Sequence, residues 1–169
     1  MDQSAGHPYV FTQAGEEDAN QVLALYHAVI GKEFCTWNES YPGMHEIRTD
    51  MENADLFVLK AGLEVIGAIS IVPENELDDL ELWRVPDGKI AEIARVAVAP
   101  EYQGRGLALR MVLETEKILR QRDYRAVHLL AARINLPACH TYQKADYQRI
   151  GECEMFGHEF YAFEKELER

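Results

Sequence analysis

Apolar and polar positions change period several times along this chain, and each change predicts an element. Residues 9–13 are rich enough in β-formers for a short first strand. Glu16, Glu17 and Asp18 then put negative charge where a helix dipole favours it, at the helix start. Val22, Leu25, Tyr26 and Val29 recur on one helical face, so the helix runs to about Ile30 and Gly31 closes it. Residues 34–43 show no period, and 44–53 predict a second, shorter helix. Two β-rich runs, 56–59 and 65–72, flank Lys60-Ala61-Gly62-Leu63-Glu64 and predict a hairpin. The acidic stretch 74–81 reads as a solvated loop or a turn of helix, and Pro86-Asp87-Gly88 as a turn.

The second half begins with Ile93, Val96 and Val98, β-formers in a run that ends at Pro100. Ala108, Met111, Val112, Thr115, Ile118 and Leu119 then form the core stripe of a long helix ending near Arg122. Residues 127–132 are continuously apolar apart from His128, as in a buried strand, and 137–145 form a short helix with proline in its first turn. Residues 147–153 and 159–167 make a last hairpin across Phe156-Gly157-His158. This order predicts one domain over 1–169, of α/β or α+β class: a mixed, mostly antiparallel central sheet of about seven strands flanked by about four helices. The parallel part is expected to be short.

Composition narrows the function more than the fold. With 169 residues and 47% hydrophobic content the chain can bury a substantial core. It has no run of about 18 apolar residues to span a bilayer, and Met1-Asp2-Gln3-Ser4 lacks a basic-then-apolar leader, so a cytoplasmic protein without membrane contact is expected. Its net charge of −12, from 17 basic and 29 acidic residues, argues against nucleic acid as a partner. The acidic field would favour a cationic substrate, or serve solubility alone. Cys35, Cys139 and Cys153 are three widely spaced thiols, neither a disulfide framework nor a zinc site, and no metal-ligand spacing occurs among the histidines.

The stretch with chemical content is Gln103-Gly104-Arg105-Gly106-Leu107-Ala108, two glycines where a chain turns from strand into helix. The first amides of a helix lack intrahelical acceptors and sit at its positive end, so a phosphate suits them. A Walker phosphate loop is absent, and a dinucleotide fingerprint fails because Leu109 stands where its third glycine belongs. The surrounding pattern of Val98, Pro100, Gln103, Gly104, Arg105, Gly106, Leu107 and Ala108 closely resembles the acetyl-CoA-binding motif of the GNAT superfamily of N-acetyltransferases. Gln103, Gly106 and Ala108 are its core. Asn135-Leu136-Pro137-Ala138 and Thr141-Tyr142-Gln143-Lys144-Ala145-Asp146-Tyr147 resemble the family's second CoA-contacting segment.

The resemblance implies a direct transfer of acetyl from acetyl-CoA, bound as co-substrate, to a primary amine in a ternary complex. A non-catalytic CoA-binding or sensor module of the same fold is the rival reading. Val96, Ala97 and Val98 would pair with the pantetheine arm like an added strand, and the amides of Gln103, Gly104, Arg105, Gly106, Leu107 and Ala108 would hold the pyrophosphate. Arg105 would reach a phosphate or face solvent, and Asn135 would bind the CoA arm or cap a helix. Tyr142 is the expected acid for the departing thiolate, with a tyrosine that packs the short helix onto the sheet as the alternative. Asp146 replaces the glycine usual before Tyr147, a position aspartate tolerates.

Glu92 is the expected base, with a solvent-facing strand-end glutamate as the alternative; period two puts it on one face with Ala94, Val96 and Val98. His128 reads as a satisfied core histidine. Cys139 and His140 diverge by about 100° on a helix, which disfavours a nucleophile–base pair. Trp37 and Tyr41 would wall the acceptor site or pack the first helix onto the sheet. The acceptor is a small cationic amine or a peptide or protein amine, and the exposed face of the last hairpin could pair two subunits into a homodimer.

Overall fold

A computed structural model describes residues 8–73, 77 and 80–168. The acidic stretch lies outside these residues except for Leu77, Leu80 and Glu81, as does the start of the chain. Seven strands form one sheet in the order β1-β2-β3-β4-β5-β7-β6. The strands are β1 (Val10–Gln13), β2 (Leu56–Ala61), β3 (Glu64–Val72), β4 (Ile90–Val98), β5 (Ala126–Ala132), β6 (Gln148–Met155) and β7 (His158–Glu166). Four helices flank them: α1 (Ala19–Val29), α2 (Met44–Glu52), α3 (Leu107–Gln121) and α4 (Leu136–Lys144). Every expected element is present within a few residues of its expected bounds. All pairings are antiparallel except β4 with β5, whose parallel ladder spans only Ile90↔Ala126, Ala91↔Val127 and Glu92↔His128.

The sheet separates two cores. On one side Ile66, Ile69, Ile93 and Leu129 pack under α3 and α4 through Met111, Leu119 and Tyr142. On the other, Val58, Val65, Ala68 and Ala97 pack under α1 and α2 through Val22, Leu25, Tyr26 and Ile47. The helices cover the sheet because each carries one apolar stripe, and only burial against the sheet removes that stripe from water.

Strand β4 departs from simple alternation. Ser70 pairs with Ala94 and Ala68 with Ala97, so β4 fits one more residue than β3 between these pairs. Arg95 sits in this bulge with φ 52°. The extra residue reverses the side-chain alternation: Ala91, Ile93 and Val98 join the α3–α4 core with Val96 packed against it, whereas Ala97 joins the other. Glu92 therefore does not share a face with Val96 and Val98, as strict period two requires. It shares the α1–α2 face with Ala94 and Ala97.

Candidate functional site

Beyond Glu92↔His128, β4 and β5 no longer pair, and the gap between them opens into a cavity of about 520 Å³. That volume suits a drug-sized ligand. Ala94 through Val98 line one side and Leu130, Ala131 and Ala132 the other. On the α1–α2 face the cavity reaches Val29, Lys32, Phe34, Cys35, Thr36 and Trp37; on the α3–α4 face it reaches the start of α3 and most of α4. It thus passes from one face of the sheet to the other.

The edge of β4 along this gap is available for backbone bonding. Ala99 donates its N–H to Ile66 O at 2.8 Å, so the alternate residues Val96 and Val98 aim their backbone groups away from β3 and into the gap. The Val98 carbonyl already accepts from Gln103 Nε2 at 2.9 Å. The Gln103 side chain consequently braces the following loop against the strand end. A 3-10 turn, Pro100–Tyr102, carries the chain to Gly104 (φ 78°) and Gly106 (φ 74°), both in the left-handed region that glycine enters without strain. No atom lies within 4 Å of where a Cβ would stand at either glycine, so the surface above both is open.

Gly106 caps α3 with no side chain satisfying the first turn, and the first intrahelical donor is Arg110 N, to Gly106 O at 3.1 Å. The amides of Leu107, Ala108 and Leu109 therefore reach the cavity mouth with no acceptor within the helix. These residues fit a pyrophosphate: bare amides at a helix dipole's positive end, with nothing above them to exclude an anion. The Leu107 side chain is buried in the core, so its amide is what it offers. Arg105 turns away, donating to Glu101 O and Tyr9 Oη and lying 5.1 Å over the Tyr102 ring.

Asn135 Oδ1 accepts from Ala138 N at 3.2 Å and caps α4, and Asn135 also lines the cavity. Tyr142 lines the same cavity while its ring packs against Tyr147 and Phe163. Burial, with smaller contributions from Cys139 and Glu92, raises its phenol far above the ordinary value, so the group keeps its proton. Asp146 adopts φ 67°, the left-handed conformation expected of it, and Tyr147 N closes α4 by donating to Tyr142 O at 3.0 Å. Burial pushes the Cys139 thiol up as well, away from a nucleophilic thiolate.

Trp37 lines the cavity and also packs edge-on against Tyr26 of α1 at 5.4 Å. Tyr41 is not a wall residue. It is 44% exposed, and its hydroxyl accepts from Arg95 Nη1 at 3.1 Å.

Arg95, which periodicity did not single out, is the most heavily bonded side chain of the bulge. Its Nε and Nη2 donate to Asp50 at 2.8–3.1 Å, and Ser70 Oγ donates to Asp50 Oδ2 at 2.7 Å. Burial opposes the Arg95 charge, but Asp50 more than offsets it and the guanidinium stays ionised. The signal available in the sequence was one arginine amid seven uncharged residues between Glu92 and Glu101. Lys32, Arg95 and Lys144 are the charged side chains among the described residues lining the cavity, and no carboxylate is among them. Among the described residues no group of three His, Cys, Asp or Glu side chains could hold a metal, and no helix is long and apolar enough to cross a membrane.

A sequence profile of the acetyltransferase (GNAT) family matches residues 22–147. No curated protein matches the chain in sequence. Among solved structures, a GNAT-family acetyltransferase from Streptococcus agalactiae superposes with TM-score 0.80 at 19% identity, covering 95% of this chain and 96% of that one. An N-acetyltransferase from Staphylococcus aureus gives 0.75 at 18%, covering 95% and 99%. The protein yncA of Salmonella typhimurium, solved with its cofactor acetyl-CoA, gives 0.75 at 13%, covering 95% of each chain.

Proposed function

Because the chain belongs to the GNAT acetyltransferase family, we propose that it transfers acetyl from acetyl-CoA to a primary amine by direct attack in a ternary complex. The observation that carries this reading is the cavity open on both faces of the sheet at the β4–β5 gap. Two substrates can enter such a cavity from opposite sides and meet without a covalent enzyme intermediate. The CoA would lie on the α3–α4 side, its pyrophosphate on the amides of Gly104, Arg105, Gly106, Leu107 and Ala108, and its pantetheine arm along Val96, Ala97 and Val98. The Asn135 amide nitrogen would add a donor to the arm. The acceptor amine would enter from the α1–α2 side, past Trp37.

In this reading Glu92 takes a proton from the acceptor ammonium, directly or through one water, because only the neutral amine has the lone pair that attacks. Glu92 itself does not line the cavity; it stands on the α1–α2 face two residues before the lining residue Ala94, an arrangement that favours the path through water. The amine nitrogen bonds to the thioester carbonyl carbon, and collapse of the adduct breaks the C–S bond. Tyr142 gives its proton to the departing sulfur and is reprotonated from the adduct nitrogen. Starting from an ammonium, one proton leaves the site for each acetyl transferred.

The test is a binding titration followed by turnover. Acetyl-CoA should raise the melting temperature, and CoA should be released with some amine in a panel of small amines and peptides. No binding at millimolar acetyl-CoA would remove the proposal, and binding without transfer to any amine would favour the sensor reading.

A further inference from the structure

A polar row crosses the sheet at the closed end of the cavity. Register aligns Glu92 on β4 with His128 on β5, His128 with Glu164 on β7, and Glu164 with Gln148 on β6. Aligned residues of paired strands share a face and stand about 5 Å apart. Glu92 and His128 are the last pair before the two strands part. The row thus begins where the acceptor's proton would have to leave.

His128 is 2% exposed and Glu164 6%. His128 Nε2 and Glu164 Oε2 are 2.9 Å apart, and the same carboxylate oxygen accepts from Val85 N at 3.0 Å. The Trp83 ring stacks on the imidazole at 3.8 Å and 9°. Arg84 donates to Gln148 and ends the row. Such a histidine is fixed in orientation by a carboxylate and sealed by an indole. A histidine serving only as core filler would not need a carboxylate desolvated beside it, since burying that group costs several kcal/mol unless its bonds recover the loss.

We propose that His128 and Glu164 are positioning residues that act through Glu92. His128 receives the proton that Glu92 takes from the acceptor ammonium, and Glu164 stabilises the imidazolium that forms. The step balances: one proton leaves nitrogen and passes from the Glu92 carboxyl to the imidazole, and the imidazolium gives up its Nε2 proton through Glu164, which lines a second cavity with the exposed Gln148 and Glu166, to solvent, with no bond between heavy atoms changed. A glutamate alone is a weak base for an ammonium; a histidine behind it that takes up the proton lets the carboxylate reset within each turnover. Titratable and charged groups around this row include Glu92 from β4, Glu164 from β7, Tyr26 of α1 with the Arg95–Asp50 pair beyond Ala94, Arg84 on Gln148, and Arg125 with Glu166 at the opposite end. This inference rests on the transferase reading above.

The experiment compares the native enzyme with His128→Gln, Glu164→Gln, Glu92→Gln and the Glu92→Gln/His128→Gln double variant. Readouts are acetyl-CoA affinity and the pH dependence of turnover with one acceptor amine. His128→Gln should lower kcat at least tenfold at pH 7 and leave acetyl-CoA affinity within twofold. The deficit should shrink as pH approaches the amine's own pKa, where solvent deprotonates the acceptor. Glu164→Gln keeps acceptors for both Val85 and His128 and carries the same test should His128→Gln fail to fold. The double variant should lose little beyond Glu92→Gln alone, because both act on one proton.

A deficit equal at every pH, or additive losses in the double variant, overturns the relay while leaving acetyl transfer standing. A native enzyme that binds acetyl-CoA and acetylates no amine overturns the transferase reading and the relay with it.

Discussion

Tyr142 illustrates how burial assigns a side chain its chemistry. Its phenol stays neutral because the surroundings desolvate the phenolate, so it is a proton donor across the working range. Replacing Tyr142 by Phe should lower kcat about 10²-fold while acetyl-CoA affinity, measured by calorimetry, stays within a few-fold. Arg95 and Asp50 are the opposite case, two charges kept ionised by each other. Removing one partner strands the other, so Asp50→Ala should cost about 3 kcal/mol, seen as a melting-temperature fall of about 6–12 °C. The turn of Gln103, Gly106 and Ala108 into α3 was legible in the sequence because backbone geometry restricts what can stand there. Arg95 was not, because a charged residue in a strand shows its partner only when α2 brings Asp50 to it.

At the scale of elements, the decisive feature is the bulge in β4. Counting by twos put Glu92 with Val96 and Val98, and a single inserted residue reversed that assignment. Nothing in the residues around Arg95 announces a bulge, since its cause is a tertiary pairing with β3. The helix starts were easier to read, because glycines ahead of an apolar stripe at helical spacing have few alternatives. The Gly104–Gly106 turn separates stability from binding. A Cβ at Gly106 meets no atom within 4 Å, so Gly106→Ala should lose only the left-handed backbone cost, about 1–2 kcal/mol in a thermal melt. The same methyl would stand above the amides meant for phosphate, and acetyl-CoA affinity should fall more than tenfold.

For the whole molecule, the seven-stranded mixed sheet was readable from element order, but the way β4 and β5 part after three paired residues was not, since that gap is defined by missing bonds. The buried phenols of Tyr26, Tyr142 and Tyr147 are all raised by burial. In the unfolded chain they ionise near pH 10, and in the folded protein they hold their protons beyond it. Above about pH 10 the folded state therefore binds more protons, and stability falls as pH rises, by up to about 4 kcal/mol per pH unit for three groups. Below pH 10 these groups leave stability flat. Chemical denaturation at pH 9, 10 and 11 should show the break, and an unchanged midpoint would place the three tyrosines in water-accessible surroundings.

In the proposed reaction acetyl passes directly between two substrates held on opposite faces of one sheet. The measurement that meets it most directly is a matrix of initial rates, varying acetyl-CoA at several fixed concentrations of an acceptor amine, with CoA release and the acetylated product both followed by mass spectrometry. Double-reciprocal lines that intersect, with one acetylated amine formed per CoA released and no acetylated enzyme, are the result expected. Parallel lines with acetyl trapped on the protein, or CoA release without an acetylated amine, would contradict it.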